Sequence, residues 1–149
     1  MIGKLFTEET VAVDVEAKDW EEAVRYGGKL LVDAGKTVDK YTEAMVNNVK
    51  NMGEYIVIAP GLAMPHARPE FGVNEIGMGL VKLKTPVRFG NSEYDPVDIL
   101  VFLCAVDQTA HIGALSQLMQ LIEDEDFLAQ IRSGLAKKDI LTYINKNFK

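Results

Sequence analysis

The run from Val97 to Val106 is almost continuously apolar and rich in β-branched and aromatic side chains. Successive strand residues point to opposite faces of a sheet, so a strand of this kind cannot present either face to water. It predicts a central strand covered on both sides. The longest unbroken apolar stretch, Ile99 to Val106, is too short to cross a bilayer, which takes about 20 residues. Asp98 interrupts the run, and a carboxylate there requires a hydrogen-bond partner. Its expected role is structural. Cys104, in the same strand, reads as a small buried core residue.

The flanking segments supply the helices that cover such a sheet. Val11 to Val15 alternates as a short strand. Asp19 then reads as a helix N-cap, with Glu22 completing a capping box. Trp20, Ala23, Val24, Gly27, Leu30, Leu31 and Ala34 follow at helical spacing, and Gly35 ends the helix in a left-handed cap. A second helix is predicted from about Val38 to Met52. Its apolar stripe is Val38, Tyr41, Met45, Val49 and Met52, and Gly53 closes it. Ile56 to Ala59 reads as a buried strand broken by Pro60 and Gly61, and Met78 to Leu83 as another strand. From Ala110 the pattern is helical, with His111, Leu115, Leu118 and Ile122 on one face. Shorter helices are predicted around Phe127–Arg132 and Ala136–Phe148. The expected architecture is α/β: a mixed central sheet with helices packed on both faces, in three layers. No repeat, low-complexity tract or Pro/Ser-rich linker divides the chain, so residues 1–149 read as one domain.

Composition excludes several function classes. A chain of 149 residues can bury roughly 68–70% of its unfolded surface, so no metal or disulfide is needed for a core. The single cysteine rules out an internal disulfide framework and a cysteine-rich zinc site. Met1 to Thr10 holds no long apolar run, so no signal peptide is expected, and a soluble cytoplasmic protein is the simple reading. The net charge of −6 offers no basic surface for nucleic acid. Lys137 and Lys138 read as a solvated helix start. The acidic balance favours a basic protein partner in diffusional encounter. The Met and aromatic residues sit at core spacing and require no cofactor.

The chemistry concentrates near two histidines. His66 lies in Ala59-Pro-Gly-Leu-Ala-Met-Pro-His-Ala-Arg-Pro-Glu70. Its prolines fix φ and its glycine permits a tight turn, which together build a shaped, stiff loop. A neutral imidazole is a good nucleophile near pH 7, and a hydrogen bond to one ring nitrogen selects the tautomer that leaves the other free. If that nitrogen carries a phosphoryl group, its oxygens need donors, and Arg68 can supply a guanidinium fork. Asp107 and Thr109 are candidate caps of the helix that begins near His111. Backbone N–H groups at such a helix start favour an anion by roughly 0.3–1 kcal/mol. His66 should therefore be indispensable, with Arg68, Thr109 and the helix start only tuning the site.

The segment from Ala59 to Glu70, followed by Gly72-Val73, closely resembles the active segment of enzyme IIA components of the sugar phosphotransferase system, in the fructose/mannitol superfamily. It is most similar to the ascorbate-type branch. The resemblance runs along nearly the whole chain, including Asp95-Pro-Val-Asp-Ile-Leu100, His111-Ile112 and Glu123-Asp-Glu-Asp126. It implies a phosphotransferase component that accepts a phosphoryl group from the phosphocarrier HPr on His66, usually at Nε2. The group then passes to a cognate enzyme IIB and, through it, to the membrane enzyme IIC that phosphorylates an imported sugar. On this resemblance the sugar is ascorbate, and His111 lines the site and steadies the phosphoryl group. The resemblance implies no cofactor. Two positions depart from the family pattern: Asn48 stands where mannitol-type relatives carry a functional arginine, and Ala67 replaces the glycine common after the active histidine. Arg68 is expected to cover part of the missing charge.

Two other readings remain at this point. A regulatory phosphohistidine module, like the nitrogen-type relatives, would use His66 but act through protein binding. A metal-dependent hydrolase would need about three protein ligands, and no His-x-His or His-Glu-x-x-His pattern is present. Oligomeric state is left open, a homodimer included.

Overall fold

The computed structural model of the protein describes residues 2–149, apart from the side chains of Gln108, Ala110 and His111. After a 3-10 turn (Ile2–Lys4) come β1 (Val11–Val15), α1 (Trp20–Asp33), α2 (Asp39–Ile56), β2 (Val57–Ala59) and β3 (Leu62–Ala63). A second 3-10 turn (Pro69–Phe71) precedes β4 (Gly77–Val87), β5 (Val97–Cys104), α3 (Gln108–Ile122), α4 (Glu125–Arg132) and α5 (Lys137–Asn147). The strands form one mixed sheet in the order β1-β4-β5-β3-β2. β1 runs parallel to β4 and β3 parallel to β5, whereas the β4–β5 and β2–β3 pairs are antiparallel. This is the expected α/β architecture.

β5 lies in the middle of the sheet, and its side chains feed two separate cores. Leu100, Phe102 and Cys104 pack with Ala23, Val24 and Leu31 of α1 and Tyr41, Met45 and Val49 of α2. Ile99, Val101 and Leu103 pack on the opposite face with Leu118 of α3, Phe127 and Ile131 of α4, and Ile140 and Ile144 of α5. All six of these β5 side chains are 1% exposed or less. Two adjacent glycines let α1 sit close to both neighbours. A Cβ on Gly27 would fall 2.0 Å from the Phe102 ring, and one on Gly28 would fall 2.5 Å from Thr42 of α2.

The ends of α1 follow their local chemistry. The Asp19 carboxylate accepts from the Glu22 N–H at 2.9 Å. The reciprocal arm lands one residue earlier than a capping box requires, because Glu22 accepts from the Lys18 N–H at 3.3 Å. At the other end Gly35 takes φ +78°. Its N–H bonds Val32 and that of Lys36 bonds Leu31, which satisfies the last carbonyls in a Schellman arrangement.

Several expectations need correction. Gly53 does not end α2. The backbone breaks at Met52 (φ −139°, ψ 32°), and the helix continues to Ile56, so the strand begins at Val57. Gly53 serves close approach instead, since a Cβ there would fall 2.6 Å from the Phe89 carbonyl oxygen. Met52 and Val38, assigned to the buried stripe, are 46% and 42% exposed. The turn at Pro60 and Gly61 does not end sheet formation. It folds β2 back on β3, leaving β2 as a half-buried edge strand. β5 stops at Cys104, and Val106 beyond it is exposed.

Asp98 has the partner its position demanded. Arg132 of α4 donates through Nε to its carboxylate at 3.0 Å and through Nη2 to the Pro60 carbonyl at 3.0 Å. The pair thus ties α4 to the β2–β3 turn across a partly exposed site. Arg132→Ala should cost about 1 kcal/mol, above the usual surface pair because Asp98 is the more buried partner. Urea denaturation would measure it, and a midpoint equal to that of the unchanged protein would refute the tie. Among the described residues no helix is long and apolar enough to cross a membrane.

Candidate active site

Because β3 and β5 run parallel, their carboxyl ends lie at one end of the sheet. The loop leaving β3 and the segment linking β5 to α3 therefore emerge side by side, the position at which open α/β sheets form crevices. Here a groove of about 710 Å³ opens. Its walls are Asn48 and Met52 from α2, His66 to Arg68 from the loop, Phe71 from the second 3-10 turn, and Asp107 and Ile112 beside and within the start of α3.

His66 is half-buried in this groove. Its Nδ1 lies 2.8 Å from the Met64 carbonyl oxygen. A carbonyl can only accept, so in the neutral ring Nδ1 carries the proton and Nε2 keeps its lone pair. The peptide following the ring is held as well. Asn48 Nδ2 donates to the His66 carbonyl at 2.9 Å, and the Ala67 N–H donates to the Tyr41 hydroxyl at 3.1 Å. The Tyr41 hydroxyl in turn donates to the Leu103 carbonyl at 2.9 Å. The Ala67 carbonyl, at 3.2 Å, competes for the same proton. Tyr41 is fully buried, and desolvation pushes its phenol pKa well up, so the hydroxyl stays neutral and keeps that proton.

The other expected site residues are placed differently. Arg68 lines the groove and is the one cation among its described lining residues. Its side chain is 82% exposed and only 3.7 Å from Glu70, a loose pair in water. α3 begins at Gln108, so Asp107 immediately precedes it. Thr109 lies within the first turn rather than at the cap, is exposed, and is not among the described lining residues. The part expected of His111 concerns a side chain outside the described residues. Burial pushes the Cys104 thiol up to about 12, which makes it a poor nucleophile at neutral pH.

Sequence reasoning missed Tyr41 and Met52 as parts of the site, having assigned both to the core. For Tyr41 a signal existed: a buried tyrosine hydroxyl almost always has a partner. Asn48 was noted for the charge it lacks, whereas in the structure its amide donates to the backbone carbonyl of His66.

A second groove, about 790 Å³, lies between β2 and α4 and is lined by Ile58, Pro60, Ile122, Leu128 and Arg132 among others. It is the larger of the two, yet among its described lining residues there is no imidazole or thiol, so chemistry rather than volume selects the His66 groove. Among the described residues no cluster of His, Cys, Asp and Glu is suited to a metal.

Comparison with known proteins gives this fold a context. The family model described as "Phosphoenolpyruvate-dependent sugar phosphotransferase system, EIIA 2" matches residues 4–147. The ascorbate-specific PTS system EIIA component of Escherichia coli K12 is 41% identical over 139 residues, covering 92% of this chain and 90% of that protein. The solution structure of the mannitol-specific cryptic phosphotransferase enzyme IIA of Escherichia coli superposes with a TM-score of 0.88 at 34% identity, covering 99% of this chain and 100% of that one. The mannitol enzyme IIA of Escherichia coli, solved in complex with phosphorylated enzyme IIB, shares the fold at 24% identity, with a TM-score of 0.81 over 96% of this chain and 100% of that one. A match along nearly the whole chain is sufficient: the protein belongs to the EIIA 2 family of the phosphoenolpyruvate-dependent sugar phosphotransferase system and is a phosphoryl-carrying phosphotransferase component.

Proposed function

We propose that His66 Nε2 is the phosphoryl acceptor, that phospho-HPr is the donor, and that a cognate enzyme IIB serving ascorbate uptake receives the group. The observation that carries this reading is the 2.8 Å hydrogen bond from Nδ1 to the Met64 carbonyl. In the transfer the Nε2 lone pair attacks phosphorus, an N–P bond forms, and the donor's bond to phosphorus breaks with its electron pair left on the donor. The ring gains positive charge, and its Nδ1–H bond to a carbonyl strengthens as that charge develops. The second transfer reverses the sequence, with the enzyme IIB nucleophile attacking and the pair returning to Nε2. Arg68 and His111 act as supports of the bound phosphoryl group, and Thr109 as a further donor near it.

Ascorbate as the transported sugar rests on the name of a relative at 41% identity. The same name favours transport over a purely regulatory output. Enzyme IIB as acceptor is supported by the fold shared with a mannitol enzyme IIA solved beside phosphorylated enzyme IIB. The test is direct. After incubation with phosphoenolpyruvate, enzyme I and HPr, phosphorus NMR should give one acid-labile phosphohistidine signal of the Nε2 type. Adding an ascorbate enzyme IIB should discharge it. A phosphate on Nδ1 or on any residue other than His66 would overturn the assignment.

A further inference from the structure

The His66–Ala67 peptide is one rigid plane, and α2 holds both of its poles. Asn48 Nδ2 donates to its oxygen at 2.9 Å, and the Tyr41 hydroxyl accepts its N–H at 3.1 Å. Residues 41 and 48 are about two helical turns apart, so one face of α2 carries both groups. The Tyr41 hydroxyl is itself fixed, since it donates to Leu103 at the end of β5 and is fully buried. The peptide plane sets the backbone angle by which the His66 ring leaves the chain. Together with the Nδ1–Met64 bond, His66 is held from both sides along the chain, by the carbonyl two residues before it and by the peptide that follows it.

We propose that Tyr41 and Asn48 form a two-point clamp and act as positioning residues for phosphoryl transfer, fixing the direction in which Nε2 is presented. The proposal rests on the reading of His66 as acceptor. Asn48 is neutral and its amide is engaged with the backbone, so it contributes geometry to the site rather than charge. Neither residue takes part in bond making. Their effect is felt as orientation of the attacking lone pair, to which transfer rates are steep: a misplacement of about 1 Å costs roughly 10²-fold.

The experiment compares Asn48→Ala, Asn48→Asp and Tyr41→Phe with the unchanged protein, using phospho-HPr as donor. Asn48→Asp keeps the shape but at neutral pH has no donor for the His66 carbonyl. Both Asn48 variants should slow saturated transfer by about tenfold, a fraction of the misplacement limit, while KM for phospho-HPr changes less than about twofold. Nitrogen-15 spectra of the His66 ring should lose the single Nδ1–H tautomer and show both forms. The double variant Asn48→Ala, Tyr41→Phe should slow transfer by less than the product of the two single effects, because both bonds hold one plane. The Asn48 position is half-buried, so its variants keep the test decisive if Tyr41→Phe unfolds. Unchanged transfer and an unchanged tautomer in Asn48→Ala would overturn the clamp. Full labelling of His66→Ala would overturn the acceptor reading instead, so the two failures are distinct.

Discussion

His66→Ala should carry no acid-labile phosphate after incubation with phosphoenolpyruvate, enzyme I and HPr, at any protein concentration and any time. The loss should be complete rather than graded. The covalent intermediate needs a lone pair on a nitrogen at that place, and among the described groove residues His66 alone supplies one. Stability should change by less than about 1 kcal/mol, because the ring is half-buried and its removal frees one carbonyl, that of the likewise half-buried Met64. Arg68→Ala gives the contrast. A guanidinium that is 82% exposed has an interaction of about 0–1 kcal/mol to lose, which is at most roughly a fivefold change in transfer. A folded His66→Ala protein that still took up phosphate, or an Arg68→Ala protein that took up none, would invert this ranking of roles.

The largest stability effects should come from the contact between α1 and β5. Phe102 is fully buried at the centre of the sheet, and its ring occupies the space where a Gly27 side chain would sit, with a would-be Cβ at 2.0 Å. Phe102→Ala should cost about 3–5 kcal/mol, the sum of lost burial and a cavity that a two-sided strand cannot collapse into. Gly27→Ala should also destabilise, by about 1–3 kcal/mol, although alanine is the better helix former by roughly 1 kcal/mol. Overlap at this distance outweighs propensity, since the ring has buried neighbours on every side. Phe102→Leu should relieve part of the Gly27→Ala penalty, giving a double variant more stable than the two single effects predict. Urea titration of the four proteins measures this coupling. A Gly27→Ala protein as stable as the parent would mean that α1 can retreat from the sheet.

The parts of the molecule that were legible in the sequence are those whose cause is local. β5 was evident because an almost continuously apolar, β-rich run admits one environment. The cap at Asp19 and the stop at Gly35 were evident because each is set within a few residues. The turn at Pro60 and Gly61 was evident for the same reason. What escaped has its cause far along the chain. Tyr41 looked like one more core residue because its hydroxyl partners lie 26 and 62 residues away. Gly53 looked like a helix stop because the Phe89 carbonyl that crowds it belongs to another element. β3 was unreadable because two residues, Leu62 and Ala63, carry no periodicity. They become a strand through register with Ile99 and Leu100 on one side and with β2 on the other. Met52 was placed inside by helical spacing, but the break at that residue turns the stripe toward the groove.

That dependence on distant partners also dictates when the site comes into existence. A growing chain that has emerged through α2 and the histidine loop already contains the proposed acceptor, His66. It does not yet contain β5, whose edge aligns β3 and whose Leu103 carbonyl anchors Tyr41. Pairing across such a separation is entropically costly and forms after the local helices. With His66 as the proposed acceptor, competence to accept phosphate should therefore be acquired at sheet closure, not at synthesis of His66. Labelling during refolding would then time the arrival of the central strand, a step that helical circular dichroism, sensitive mainly to local structure, reports poorly.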